Sequence, residues 1–287
     1  MLGFDLDQPL VPADEIVQGG PAKDGIPSID HPIFKPIADY TFFDDDTRVI
    51  GVVHAGVAKA YPIPILNWHE VVNDYFGEQP VVITYCPLCG SGMAFAAKIN
   101  GQRTEFGVSG LLYNSDMLLY DRRTESLWSQ LRMQAIAGPR KGEKLTMVAT
   151  QHTTLGAWKK AHPESLILTT RTGHIRNYQQ TPYGEYEDNR ELYFTPQHTS
   201  DGYHPKEWVL GLEIEGHYKA YPFSELAAHP ELEIPDTFRG QDLRINYDIL
   251  HDTATITDDQ GHPFPSVTAY WFAWYAFHPQ TAMFRAE

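Results

Sequence analysis

Two cysteines in 287 residues are too few for a disulfide-braced secreted scaffold, which spreads several along the chain. They stand three positions apart, at Cys86 and Cys89, so they serve local chemistry or local packing. Long apolar runs are also missing. No stretch approaches the roughly 18–20 consecutive apolar residues that cross a bilayer, and no transmembrane segment is expected. The N-terminus, Met1-Leu2-Gly3-Phe4-Asp5-Leu6-Asp7, has neither a basic n-region nor an apolar h-region. On that ground either the protein stays in the cytoplasm or the numbering starts after a removed targeting segment. Basic residues are few and scattered, 22 Lys and Arg against 37 Asp and Glu, for a formal charge of −15. Binding to a phosphate backbone needs clustered cations, so no nucleic-acid partner is expected. The phosphate loop, the dinucleotide fingerprint and the metalloprotease helix do not occur. Gly107-Val108-Ser109-Gly110 falls short of a nucleophile elbow, because Leu111 stands where the second glycine belongs.

What is present begins with an ordinary apolar content, 42% hydrophobic and 13% aromatic, which suits one large core or two modest ones and excludes a largely disordered chain. The chain also repeats itself. Residues 49–66 read VIGVVHAGVAKAYPIPIL and residues 209–226 read VLGLEIEGHYKAYPFSEL. Val49, Gly51, Gly56, Lys59, Ala60, Tyr61, Pro62 and Leu66 recur identically 160 positions on. Each copy reads as a hairpin turning at Ala55-Gly56 or Glu215-Gly216. Further on, Ala157-Trp158 through His162-Pro163 resembles Ala273-Trp274 through His278-Pro279, and Val81–Tyr85 corresponds to Leu243–Tyr247. With Tyr85 aligned to Tyr247, Cys86 and Cys89 face Asp248 and His251. The first copy alone holds the long segment from Phe106 to Trp128.

These observations predict a β-rich α+β fold, a tandem duplication of a β-hairpin/helix/strand unit whose first copy carries an insertion. The expected organisation is an extended N-terminal arm over 1–47, a first repeat over 48–170 and a connector over 171–208. A second repeat over 209–287 completes it. Short helices are expected near 64–75, 153–162 and 222–229.

The runs AYPIPILNWHEVVND, VVITYCPLCGSGMAF, FGVSGLLYNSDMLLYDRRTESLWSQ and YWFAWYAFHPQT together resemble the bacterial and archaeal domain-of-unknown-function family 3179, over roughly residues 25–285. That resemblance implies no settled activity. It does imply a location outside the cytoplasm, since members often carry an export signal or a lipoprotein anchor.

Function is expected at the knuckle Cys86-Pro87-Leu88-Cys89-Gly90. Cys-Pro-x-Cys-Gly is the form of a rubredoxin-type knuckle, in which proline sets the turn and glycine lets the backbone fold beneath the second sulfur. A single knuckle must recruit nitrogen or oxygen ligands, and two thiolates with histidine suit copper, zinc or iron. His69 is the leading partner because Ile65, His69, Val72 and Phe76 share one helical face. The competing reading of His69 is a buried histidine holding a backbone carbonyl. His278 and His251 are further ligand candidates. Two alternatives to a metal site stand beside it. One is a thiol–disulfide oxidoreductase with Cys86 and Cys89 as its catalytic pair. The other is a small-ligand module in which Trp128, Asp116 and Tyr120 line a pocket and the cysteines brace a turn. Trp128 also reads as core. The expected partner is a metal ion or a small molecule.

Overall fold

The computed structural model describes residues 1–286. The repeated segments form antiparallel hairpins, Arg48–His54 with Val57–Pro62 and Trp208–Ile214 with His217–Pro222. Ala55, Gly56, Glu215 and Gly216 all have positive φ, the backbone that a two-residue hairpin turn requires to match strand twist. Each hairpin gains an antiparallel strand on one side, Thr150–Thr154 or Val267–Tyr270. On the other side it gains a parallel one, Leu166–Leu168 or Ala282–Met283.

Four helices connect strands: α1 (Ile63–His69), α2 (Leu155–Ala161), α3 (Phe223–Ala228) and α4 (Trp271–Phe277). α2 and α4 lay Trp158 and Trp274 on the repeated glycines of the two hairpins. A Cβ at Gly51 or Gly211 would meet the indole ring at 2.1 Å, so glycine is required there for close approach. The repeated Lys and Tyr have matching roles. Lys59 pairs with Asp74 at 2.8 Å while Tyr61 donates to the same carboxylate. Lys219 and Tyr221 hold Asp236 in the same way.

The α+β expectation is corrected by the architecture. Strand accounts for 41% of residues and helix for 12%, and the sheets are arranged as a five-blade β-propeller. Helices of six or seven residues make about two turns each, too short to form a layer, and they serve as links within blades. The structural unit is thus a blade rather than a hairpin/helix/strand module. The helix expected near 64–75 ends at Glu70, whose φ of 57° breaks the helical path. Val71–Phe76 then runs as a strand beside Gln79–Cys86. The segment 106–130 supplies most of a five-stranded sheet, with Phe106–Tyr113, Asp116–Asp121 and Leu127–Ser129 adjacent in it. Ile16–Gln18, from the N-terminal arm, adds an outer strand to that sheet.

Three sheets share the largest core. Val71 and Phe95 come from one, Phe106 and Trp128 from a second, Val209 and Ala269 from a third, and Cys86 and Cys89 lie among them. Among the described residues no helix is long and apolar enough to cross a membrane.

The Lys59–Asp74 pair is nearly sealed, with side chains 8% and 6% exposed. Removing one partner of such a pair strands a buried charge at a cost of about 3–5 kcal/mol. Asp74→Ala is therefore expected to lower the denaturant midpoint sharply. The double variant Lys59→Met/Asp74→Leu is expected to recover much of that loss, as measured by equilibrium unfolding.

Candidate metal centre

The strand Gln79–Cys86 ends on the first cysteine, and Cys86 pairs with Ser91 at the start of the strand Ser91–Ala96. The intervening turn closes with Cys89 N–H donating to the Cys86 carbonyl at 3.1 Å. Gly90 has a φ of +60°, and a Cβ there would sit 2.8 Å from the Trp208 ring and 2.9 Å from Tyr270. The neighbouring blade grips the turn directly, through Tyr270 N–H to the Cys89 carbonyl at 2.8 Å. Tyr186, from the 171–208 connector, donates its hydroxyl to the Leu88 carbonyl at 3.1 Å. Proline and glycine thus hold the turn in the form expected of a knuckle.

A second tight turn meets the first. Asn114 and Ser115 both adopt positive φ, joining Phe106–Tyr113 to Asp116–Asp121. This places the Ser115 carbonyl where both thiols can donate to it, Cys89 Sγ at 3.4 Å and Cys86 Sγ at 3.8 Å. Asp116 follows. Ligand atoms of Cys86, Cys89 and Asp116 all lie within 4.8 Å of one another, and all three residues are buried. Asp116 Oδ2 accepts the Leu131 N–H at 3.0 Å. Its Oδ1 is buried and has no partner among the described residues.

The setting is acidic and dry. Burial pushes the Asp116 carboxyl up to about 8 and the Glu70 carboxyl up to about 7. Burial also raises both thiols, Cys89 well above its ordinary value, and Asp116 and Glu70 raise them further. Glu70 accepts from the Tyr183 hydroxyl at 3.1 Å. These groups repel one another's charged forms, so without a cation they favour holding their protons. A bound divalent ion would reverse that preference for each group it touched.

Cys86 and Glu70 also line a cavity of about 610 Å³, within the size range of small-molecule sites. Its walls are mainly apolar, among them Trp68, Leu112, Met117 and Phe194.

The other residues expected at the site lie elsewhere. His69 is fully buried but occupied at both ring nitrogens: Nδ1 donates to the Pro27 carbonyl at 2.7 Å, leaving Nε2 to accept from the Tyr178 hydroxyl at 2.7 Å. A carbonyl only accepts, which fixes this tautomer. His278 stacks on Tyr218 with ring centroids 3.7 Å apart. His251 pairs with Asp248 at 2.6 Å on an exposed turn. Trp128 is core, packed on Phe106 and donating to Asp121 at 3.0 Å. Tyr120 donates to Asp24 at 2.6 Å. Of these candidates only Asp116 joins the cysteines. Glu70 and Asn67 were not singled out by sequence reasoning. They sit within the run LNWHEVVND, and only the bend at Glu70 turns them towards the cavity. His152 was missed too: fully buried, with neither ring nitrogen partnered among the described residues.

The family model described as a protein of unknown function, DUF3179, matches residues 23–262, and the chain belongs to that family. No curated protein and no solved structure matches it.

Burial, reinforced by nearby Arg48, pushes His152 down to about 3, against about 6.5 unfolded. Between those values the unfolded chain binds a proton that the folded chain refuses. Stability is therefore complete above about pH 6.5 and falls on acidification, by up to about 1.4 kcal/mol per pH unit for this residue. His152→Leu is expected to flatten the slope of unfolding free energy between pH 6 and 4. An unchanged slope would contradict this assignment.

Proposed function

We propose that the protein binds a divalent transition metal through Cys86, Cys89 and Asp116. Three protein ligands leave a position open to a substrate or small molecule, the ligand count of functional rather than purely structural metal sites. The observation that carries the reading is the convergence of two thiols and an unpartnered carboxylate oxygen within 4.8 Å inside the core. A buried acceptor with no donor costs stability unless something satisfies it, and a cation does so while discharging both sulfurs. Mixed thiolate and carboxylate donors suit zinc or iron(II); copper(I) prefers an all-soft set.

Cys86 and Glu70 lie on the cavity wall, while Cys89 and Asp116 are fully buried. An ion held among the three ligands would therefore present its free side towards the cavity. There it would act as a Lewis acid or as an anchor for a donor atom. Glu70, adjacent and hydrogen-bonded to Tyr183, is placed to hold or release a proton beside it.

The dithiol reading finds less support. Thiol–disulfide exchange calls for an accessible sulfur with a lowered pKa, as at a helix N-terminus. Here the sulfurs sit on a turn between strands, they are buried, and their surroundings raise both.

Elemental analysis of protein purified without tag or chelator is expected to find about one transition-metal ion per chain. Cys86→Ser, Cys89→Ser and Asp116→Asn are each expected to lose it. His69→Ala is expected to keep the metal while losing stability, because it leaves the Pro27 carbonyl and the Tyr178 hydroxyl without their partner. Full metal occupancy in the double cysteine variant would sink the proposal.

A further inference from the structure

The cavity beside the knuckle has chemistry of its own, independent of any ion. Its polar groups at the buried end are acceptors. Asn67 Oδ1 is buried with no donor among the described residues, and the residue is only 7% exposed. Glu70, 6% exposed, uses Oε1 to accept from Tyr183, and no hydrogen bond engages Oε2 among the described residues. The Asn67 amide and the Glu70 carboxylate are three positions apart across the end of α1, so they approach the cavity together. The walls leading to them are flat and apolar: Trp68, Tyr193 and Phe194 with Leu112 and Met117. Arg176 is the one cation on the described lining, and its guanidinium packs on Trp68 at 5.8 Å from the ring centroid. It lies beside Ile175, which is 97% exposed, and so belongs to the mouth.

An apolar slot that ends in unmet acceptors selects a complementary shape. We infer that the cavity receives a flat aromatic molecule bearing an amino or amidino group, with its ring between the aromatic walls and its N–H donors on Asn67 Oδ1 and the Glu70 carboxylate. Leaving such acceptors unpaired penalises ligands that lack the donor, and a carboxylate ligand would add repulsion to the missing bonds.

The test uses two probes of nearly equal shape, 2-naphthylmethylamine and 2-naphthoate, titrated by calorimetry into the full chain. The amine is expected to bind at least about tenfold more tightly, the return from one hydrogen bond to a charged group. Equal affinity, or a preference for naphthoate, overturns the inference, and this comparison needs no variant. Asn67→Leu and Glu70→Gln are each expected to weaken amine binding about tenfold with an unchanged circular-dichroism spectrum. An amine affinity indifferent to both variants also overturns it. The same titration on Cys86→Ser/Cys89→Ser separates this inference from the metal proposal. Amine binding is expected to persist there whether or not the wild-type protein contains metal. Its loss in a folded double variant would assign the head group to the ion or the sulfurs, and the inference would fall while the metal proposal stood.

Discussion

The site depends first on how closely one turn can approach the neighbouring blade. Residues 87–90 lie against Trp208 and Tyr270 with no room for a side chain at Gly90, and the Tyr270 amide fastens the Cys89 carbonyl. That contact positions both sulfurs from behind, so the second turn, Asn114-Ser115, can close over them from the front. Each turn is tight enough to need a positive φ. Neither would keep its geometry in isolation, since two-residue turns are held by the strands and neighbours around them. Three blades therefore share responsibility for a cluster of three residues.

Enclosure has an electrostatic consequence. A thiol pair at the surface could ionise against water, whereas here burial raises both thiols, Asp116 and Glu70 in the same direction. Buried groups of one sign destabilise one another unless they stay neutral or gain a counter-charge. No Lys or Arg supplies that charge at the cluster, and the nearest designed counterparts are hydroxyl and amide donors, from Tyr183 and Leu131. The blade framework handles charge differently. Lys59 and Lys219 each meet a carboxylate directly. The same chain thus neutralises buried acids with lysine where it needs rigidity, and leaves them unneutralised at the cavity.

The knuckle was legible in the sequence because its residues are contiguous and each has a local reason: proline for the turn, glycine for the approach, two sulfurs at one end. The repeat was legible as identities, but the partners of those identities were not. Gly51 recurs as Gly211 because each supports a tryptophan more than sixty residues away, and Lys59 recurs as Lys219 because each answers an aspartate on another strand. Periodicity also misled. Ile65, His69, Val72 and Phe76 fit one helical stripe, yet they are divided between a short helix and a strand. Fully buried strands carry apolar residues on both faces and so imitate helical spacing. That error hid the true position of Glu70. His69 faces inward on either reading, but its ligands in the fold are a carbonyl at residue 27 and a hydroxyl at residue 178, and no local pattern announces such partners. Asp116 was visible only as one carboxylate among several, since its selection rests on a hairpin crossing from another blade.

The position equivalent to the knuckle in the second half of the chain shows what that crossing contributes. The strand Gln241–Asp248 ends on Asp248 as Gln79–Cys86 ends on Cys86, and His251 follows at the spacing of Cys89. This turn lies in water: Ile249 and Leu250 are 54% and 86% exposed. Partial desolvation of Asp248 is outweighed by hydrogen bonds from His251 and the Leu250 amide, which hold its carboxyl below the ordinary range. Asp116 is displaced the opposite way. The difference does not lie in the acid or in the end of the strand. It lies in the 106–121 hairpin, which seals one turn inside the protein, while the turn after Asp248 remains open to solvent. The exposed acid is content with a neighbouring imidazole and water. The sealed one retains an oxygen that nothing in the described chain satisfies, and that residual demand gives the knuckle a use for a cation.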